Sequence, residues 1–239
     1  MKVRHSEDGF TIIELMIATG VLATILLLVT VVMVGIGNLY YKGIDQSRVQ
    51  DDTRNITDDI AQQLQLNGQS LSTASWSARH EQAYCIGNTR YTYVLGAEIG
   101  KPAPGPTPGP TYQHVLWRDA NPTPGSCSID PGDIDNVTPV DLQNSTPSPG
   151  GSELIGPNSR LSAFSITPTG GGSPYSIVVG VAYGDDDLLC NSSVVGSCAS
   201  GSAMTDWSQY QNINLQCKGS VGDQFCSTAH LQTAVVQRL

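Results

Sequence analysis

The chain has 239 residues and a formal net charge of -9 at pH 7. An acidic chain is not a natural electrostatic binder of DNA or anionic lipid, so nucleic acid is not indicated as a partner. The length fits one anchor plus one head domain, and 25 Gly and 14 Pro indicate a loop-rich head.

The most informative stretch lies near the N-terminus, where residues 9–16 read GFTIIELM and open a run without formal charge from Leu15 to Tyr41. As a helix, residues 15–37 rise about 1.5 Å each, or about 35 Å in all, against a hydrocarbon layer of about 30 Å. This stretch predicts a membrane-spanning helix. Because a carboxylate at the membrane centre costs about 2.5–3.5 kcal/mol on insertion scales, Glu14 is expected to have a partner or to lie near the interface.

These residues resemble the class III signal of type IV pilins and type II secretion pseudopilins. The match is a short polar leader ending at Gly9, then Phe10, then Thr-Ile-Ile-Glu ending at Glu14, then the apolar helix, and it covers residues 1–45. The resemblance implies that a membrane peptidase cuts between Gly9 and Phe10. It also implies that Phe10 is then N-methylated and that Glu14 guides docking into a filament.

The electrostatics of the N-terminus support this interpretation. Cutting after Gly9 creates an α-amino cation on Phe10, placed in lipid beside other subunits. A Glu14 carboxylate facing the Phe10 amine of a neighbouring copy would satisfy both charges and would set the axial register between subunits.

Two other interpretations of the N-terminus are weighed against the prepilin signal. An ordinary secretory signal peptide has 7–15 apolar residues and then a small-residue cleavage site. Here the apolar run is longer, and no clear Ala-x-Ala site follows it. A plain signal anchor would make Glu14 incidental, although acids inside membrane spans are rare and usually functional.

The helix is expected to continue beyond the membrane. Val49, Ile56, Ile60 and Leu64 recur at intervals of seven, four and four, which predicts one apolar stripe on a solvated helix. The chain is therefore divided into a leader at 1–9, an N-terminal helix at 10–66 that ends at Asn67-Gly68, and a β-rich head at 67–239.

The head shows short β-like runs separated by turns. Alternating and β-branched residues predict strands at 84–95, 112–117, 161–167, 175–183 and 225–238. The Pro-rich residues 100–110 and the Pro-, Gly- and Asp-rich residues 119–152 are predicted as loops. The expected fold is α+β and pilin-like: a long N-terminal α-helix packed on an antiparallel β-sheet head with long loops.

All six cysteines lie beyond the anchor, and an even count outside the membrane favours disulfides, with fifteen possible pairings. Their spacing is wider than the Cys-x₂₋₄-Cys pairs of zinc sites. Cys85 and Cys127 flank the first two strand candidates and could tie the proline loop region to the sheet. The other four bracket the loop before the last strand, which resembles the disulfide-bounded region of many pilins: Cys190, Cys198, Cys217 and Cys226.

The sequence gives little sign of catalysis in the head. The four histidines are scattered, and neither His-Glu-x-x-His nor Gly-x-Ser-x-Gly occurs, so neither an enzyme nor a cofactor is expected. The run Asp185, Asp186 and Asp187 is a weak calcium candidate, because calcium takes six to eight oxygen ligands and the run lacks the spacing of an EF-hand loop. A solvated turn is the alternative.

The sequence therefore predicts a non-catalytic prepilin, and its head size suggests a minor pilin. The resemblance implies as partners other pilin or pseudopilin subunits, the prepilin peptidase and methylase, and an assembly ATPase with its inner-membrane platform. The chain is expected first in the cytoplasmic membrane with its head outside, and then in a cell-surface or periplasmic filament. The alternative is a membrane-anchored adhesin or ligand-binding ectodomain that does not polymerise. Secretion, motility, adhesion and DNA uptake are not distinguished.

Overall fold

The computed structural model describes residues 9–67, 71–76, 80–102, 109–121, 126–127, 142–143, 150–169, 174–191, 198, 214–219 and 222–237. In these ranges the chain forms one long helix, α1, followed by antiparallel strands, so the α+β class is confirmed. The elements are α1 (Ile12–Asn67), β1 (Leu71–Trp76), β2 (Glu81–Ile86), β3 (Thr89–Tyr93), β4 (Leu116–Ala120), β5 (Ser152–Glu153), β6 (Ser159–Pro168), β7 (Tyr175–Tyr183), β8 (Leu189–Asn191), β9 (Leu215–Cys217) and β10 (Ser227–Val235).

The chain divides into two compact units, Met1–Tyr41 and Lys42–Leu239. The boundary falls inside α1, so the second unit contains the C-terminal part of the helix together with every described strand. The predicted long helix is confirmed, although it spans Ile12–Asn67 rather than 10–66: it begins two residues later and ends one residue later than expected.

The C-terminal part of α1 buries one stripe against the sheets of the second unit. The stripe contains the four expected apolar residues and, between them, Thr53 and Thr57. Both hydroxyls donate to backbone carbonyl oxygens four residues earlier, each at 2.7 Å, so their polar groups are satisfied when buried. The stripe is therefore continuous although two of its positions are not apolar.

The described strands form three antiparallel sheets. Their orders are β1-β2-β3-β4-β5, β10-β7-β6 and β8-β9. A bridge between Glu98 and Arg160 and a 2.8 Å hydrogen bond from Gly96 N to the Leu161 oxygen connect the region after β3 with β6. One hydrophobic core contains the helix stripe and residues from the two larger sheets, including Tyr91, Leu116, Phe164 and Val179.

Two strand predictions need correction. Residues 84–95 are not one strand but most of a hairpin, in which Gly87-Asn88 joins β2 to β3. Gly87 has φ +57°, and a two-residue type II′ turn favours glycine at this first central position. The second strand begins at Leu116 rather than Tyr112, because the amides of Gln113 and His114 donate to the Leu142 carbonyl instead of to a neighbouring strand.

The later strands agree better with the sequence pattern. Tyr175–Tyr183 is confirmed with the expected bounds, and 161–167 lies within β6. The last strand starts at Ser227 because Asp223–Phe225 forms a 3₁₀ turn. In the expected loop at 100–110, residues 103–108 lie outside the described ranges. Most of the expected loop at 119–152 also lies outside them, but its first residues belong to β4 and its last residue belongs to β5.

Tyr91 on β3 links the five-stranded sheet to α1. Its hydroxyl donates to Asp59 Oδ2 at 2.7 Å, and Arg118 Nε lies 3.3 Å from the same oxygen. Burial raises the pKa of Tyr91, and the hydrogen bond and charge of Asp59 raise it further. The hydroxyl therefore remains a donor to a carboxylate throughout the physiological pH range.

We expect Tyr91→Phe to lower the free energy of unfolding by about 1.5–3 kcal/mol, because the variant loses a hydrogen bond to a charged group. Tyr93→Phe is the matched control on the same strand, since the Tyr93 hydroxyl donates at 2.8 Å to the neutral Gln82 amide oxygen. Its loss should be about 0.5–1.5 kcal/mol. Guanidinium unfolding of the full chain in detergent, followed by tryptophan fluorescence, measures both variants. Equal losses of stability in Tyr91→Phe and Tyr93→Phe would contradict a stronger hydrogen bond from Tyr91 to the charged Asp59.

Candidate functional site

The first turn of α1 is built around Glu14. Its Oε2 accepts from the Thr11 amide at 2.9 Å and from the Thr11 hydroxyl at 2.8 Å, while the Glu14 amide donates to Thr11 Oγ1 at 3.3 Å. This reciprocal pattern is a capping box, which satisfies amides that a helix N-terminus otherwise leaves without partners. The Thr11–Glu14 contact therefore explains why the helix begins at Ile12.

The Glu14 carboxylate keeps an unused acceptor. The side chain is exposed, and among the described residues Oε1 makes no hydrogen bond and no cation lies within salt-bridge distance of Glu14. Thr11 donates hydrogen bonds but brings no positive charge. The capping box therefore satisfies part of the hydrogen-bonding capacity of Glu14 and leaves its charge uncompensated.

The helix around Glu14 is apolar and exposed. Among residues 9–41, Glu14 carries the only formal charge. The large apolar side chains from Phe10, which is 91% exposed, to Ile44 face outward, and α1 is long and apolar enough to cross a membrane. Such a surface must be covered by lipid or by other apolar chains, because leaving it in water is unfavourable.

Three threonines in the apolar part of α1 hydrogen-bond to the backbone of the same helix. Each hydroxyl donates to a backbone carbonyl three or four residues earlier, at 2.8–3.0 Å: Thr19 to Leu15 and Met16, Thr24 to Val21, and Thr30 to Leu26. A hydroxyl bonded in this way does not need water. These residues are therefore compatible with a non-aqueous surrounding of the helix.

The expected cleavage point lies just outside the helix. Gly9 and Phe10 are both exposed and precede the Thr11 cap in irregular backbone. A Cβ placed on Gly9 would meet nothing within 4 Å. The Gly9–Phe10 peptide bond thus lies in exposed irregular backbone, where proteases cut preferentially, and leader residues 1–8 lie outside the described ranges.

All six cysteines form disulfides in the second unit. The pairs are Cys85–Cys127, Cys190–Cys198 and Cys217–Cys226. Each strand of the small β8-β9 ladder carries one of the last two bridges, Cys190 in β8 and Cys217 in β9, and the buried cluster beside the ladder contains four of the described residues. A two-stranded ladder is marginal by itself, so the covalent links compensate for the small core.

The acidic run after β7 already has cationic partners. Asp185 lies 2.9 Å from Lys101 Nζ, and Asp186 lies 2.8 Å from an Arg160 nitrogen. Both cations also contact Glu98 at 2.7 Å. Within the described ranges no group of three or more His, Cys, Asp or Glu is placed to hold a metal ion. A calcium ion at 185–187 would have to compete with these salt bridges, and the calcium interpretation stays a prediction.

No family model matches the chain, and neither the curated proteins nor the solved structures give a match. The resemblance to pilins therefore rests on the residues themselves. The residues that carry it are Gly9, Phe10, Glu14 and the apolar helix that follows. Thr11 adds to them: sequence reasoning did not assign it a role, although the spacing Thr-x-x-Glu is a recognised capping signal.

Proposed function

We propose that this chain is a prepilin-type subunit with a structural, non-catalytic role. Its leader 1–9 is removed, the mature chain begins at Phe10, and α1 packs into a type IV pilus or a type II secretion pseudopilus-like filament. The observation that carries the proposal is the exposed apolar part of α1 with one carboxylate, Glu14, in its first turn that has no cationic partner among the described residues.

The free oxygen of Glu14 suggests how subunits recognise each other. After cleavage, the new Phe10 ammonium of a neighbouring copy can donate to Oε1 while Thr11 continues to occupy Oε2. A charge-assisted hydrogen bond is strengthened where water is excluded, as between packed helices. The exposed apolar side chains would be covered by lipid before assembly and by neighbouring helices afterwards.

The proposed partners follow from leader removal and filament assembly. The peptidase and methylase would act on residues 9–10 from the cytoplasmic side, and the platform with its ATPase would move the helix out of the membrane. The three disulfides are compatible with a head outside the cytoplasm, where thiols are oxidised.

Glu14→Gln tests the docking role, because it keeps the length of the side chain and removes its charge. We expect an unchanged membrane level and incorporation into filaments reduced about 30-fold or more, since truncating one partner of a desolvated charge pair costs about 2–5 kcal/mol. Immunoblots of sheared filaments against membrane fractions give both quantities.

Asp51→Asn is the matched control, because it also removes one negative charge, but from the exposed polar face of α1. It should leave incorporation unchanged. Mass spectrometry of the mature chain should find methylated Phe10 at the N-terminus. A chain that begins at Met1 or near Asn38, or full incorporation of Glu14→Gln, would overturn the proposal and favour a membrane-anchored adhesin that does not polymerise.

A further inference from the structure

β10 is a terminal strand among the strands that the structure describes. It lies at the end of the order β10-β7-β6 and pairs with β7 over nine residues without a register shift. Its sequence STAHLQTAV contains no proline and no Asp, Glu, Lys or Arg. Natural proteins usually protect long edge strands with charges, prolines or bulges, because an open edge is a template for another strand. The described part of β10 has none of these protections.

An open groove of about 350 Å³ runs beside this strand. Its walls are Thr228, Ala229, His230 and Leu231 of β10, and Gln50, Thr53 and Arg54 of α1. Ala229 and Leu231 are only half-buried, so the inner face of β10 is incompletely covered at this point. Since β7 occupies one edge of β10, an added strand must pair with the other edge, and its inward side chains would complete the cover of Leu231.

A second edge on the same molecule has matching properties. β1 is the terminal strand of the order β1-β2-β3-β4-β5, and its sequence LSTASW also lacks proline and charge. Ala74 and Trp76 are half-buried, while Thr73 and Ser75 between them are exposed. β10 alternates in the same way, with half-buried Leu231 between exposed His230 and Gln232. Two neutral strands with the same alternation can extend one sheet without like-charge repulsion.

We propose that β10 of one copy pairs with β1 of another copy, so that the two sheets join edge to edge. Because the two edges differ, the contact is heterologous: each copy uses β10 toward one neighbour and β1 toward another, so the contact can repeat from copy to copy. Main-chain hydrogen bonds would supply most of the affinity, and the groove beside Arg54 would accept the inward side chains of β1. The inference rests on the proposed filament only in that assembly brings the heads of neighbouring copies together.

Photo-crosslinking with two isotopic forms of the full chain tests the pairing. A photoreactive amino acid replaces exposed His230, and light and heavy chains are assembled together, so that adducts between copies carry both isotopes. We expect mixed-isotope adducts between the β10 peptide and the peptide containing Leu71–Trp76. A probe at exposed Asn55 on α1 is the control and should not label that peptide.

Adducts that join β10 to β10 would show an isologous contact and overturn the proposal, as would mixed adducts confined to other segments or their absence from assembled chains. Leu231→Lys adds a second readout, because a charge that points into the groove should lower the β1 adduct at least tenfold while the thermal unfolding midpoint stays close to that of the parent. An undiminished adduct in a folded Leu231→Lys chain contradicts the pairing.

The two proposals fail in different ways. If the mature chain begins at Phe10 and incorporation depends on Glu14, but no mixed β10–β1 adduct forms, strand pairing alone is wrong. If the leader is retained and no filament forms, the proposed function is wrong whatever the crosslinks show.

Discussion

Asp119→Ala should lower the free energy of unfolding by about 3–5 kcal/mol, because it leaves a buried guanidinium without its carboxylate. Arg90 on β3 and Asp119 on β4 are register partners, with Nε 3.0 Å from Oδ1 and a terminal nitrogen 2.6 Å from Oδ2. Their side chains are only 2% and 3% exposed. Solvent cannot replace the lost partner, and the loss should be near the upper end for a single substitution in this head.

The control for this prediction is Asp185, the exposed carboxylate that pairs with Lys101. Asp185→Ala also removes a carboxylate from a salt bridge, but the Asp185 side chain is 72% exposed, so the expected loss is about 0–1 kcal/mol. A double variant with Leu at 90 and 119 should recover most of the stability lost in Asp119→Ala, because it removes both buried charges. Guanidinium unfolding in detergent compares all three. Equal losses for Asp119→Ala and Asp185→Ala would contradict the buried pair.

Removing the Cys85–Cys127 disulfide is the other large effect. With a sequence separation of 42, loop-closure entropy predicts a loss of about 4 kcal/mol when both residues become Ala. The separation of 9 for Cys217–Cys226 predicts a smaller loss of about 2.7 kcal/mol. Unfolding of the two double-Ala variants under oxidising conditions shows which variant loses more free energy of unfolding. A larger loss from the shorter loop would show that native packing rather than chain entropy dominates.

The stability losses from Asp119→Ala and from removal of the Cys85–Cys127 disulfide are expected to be non-additive. Cys85, Arg90 and Asp119 lie in one cross-strand row, since Cys85 pairs with Arg90 and Arg90 with Asp119. Residues that share partners generally show coupling of about 0.5–3 kcal/mol in double-mutant cycles. Combining Asp119→Ala with loss of the Cys85–Cys127 bridge should therefore not give the sum of the two separate losses.

Local signals in the sequence were enough for the long N-terminal helix. The helix stripe follows from apolar residues four and seven positions apart, and the helix end follows from Asn67-Gly68. The contact between Thr11 and Glu14 spans only one turn, so no distant residue is needed to form it. Strand β7 was also predicted with its observed bounds, because its alternation is uninterrupted.

The same reasoning failed where local signals were short or conflicting. The run 84–95 contains Gly87-Asn88, a hairpin signal that the neighbouring β-branched and aromatic residues masked. β1, β5, β8 and β9 were not predicted, since they are short and have few β-branched or aromatic residues. They are strands because of the strands that they pair with: β1 with β2, β5 with β4, and β8 with β9.

Taken alone, the sequence determined the long helix, its apolar and amphipathic parts, and the position of Glu14 in its first turn, because each depends on residues within about two turns. Only the tertiary structure decided which of fifteen cysteine pairings forms. It also decided that Arg90 meets Asp119 and that Lys101 meets Asp185, 84 residues away. Partners so far apart meet only after the sheets have formed, since local sequence signals do not specify which distant segments become neighbours.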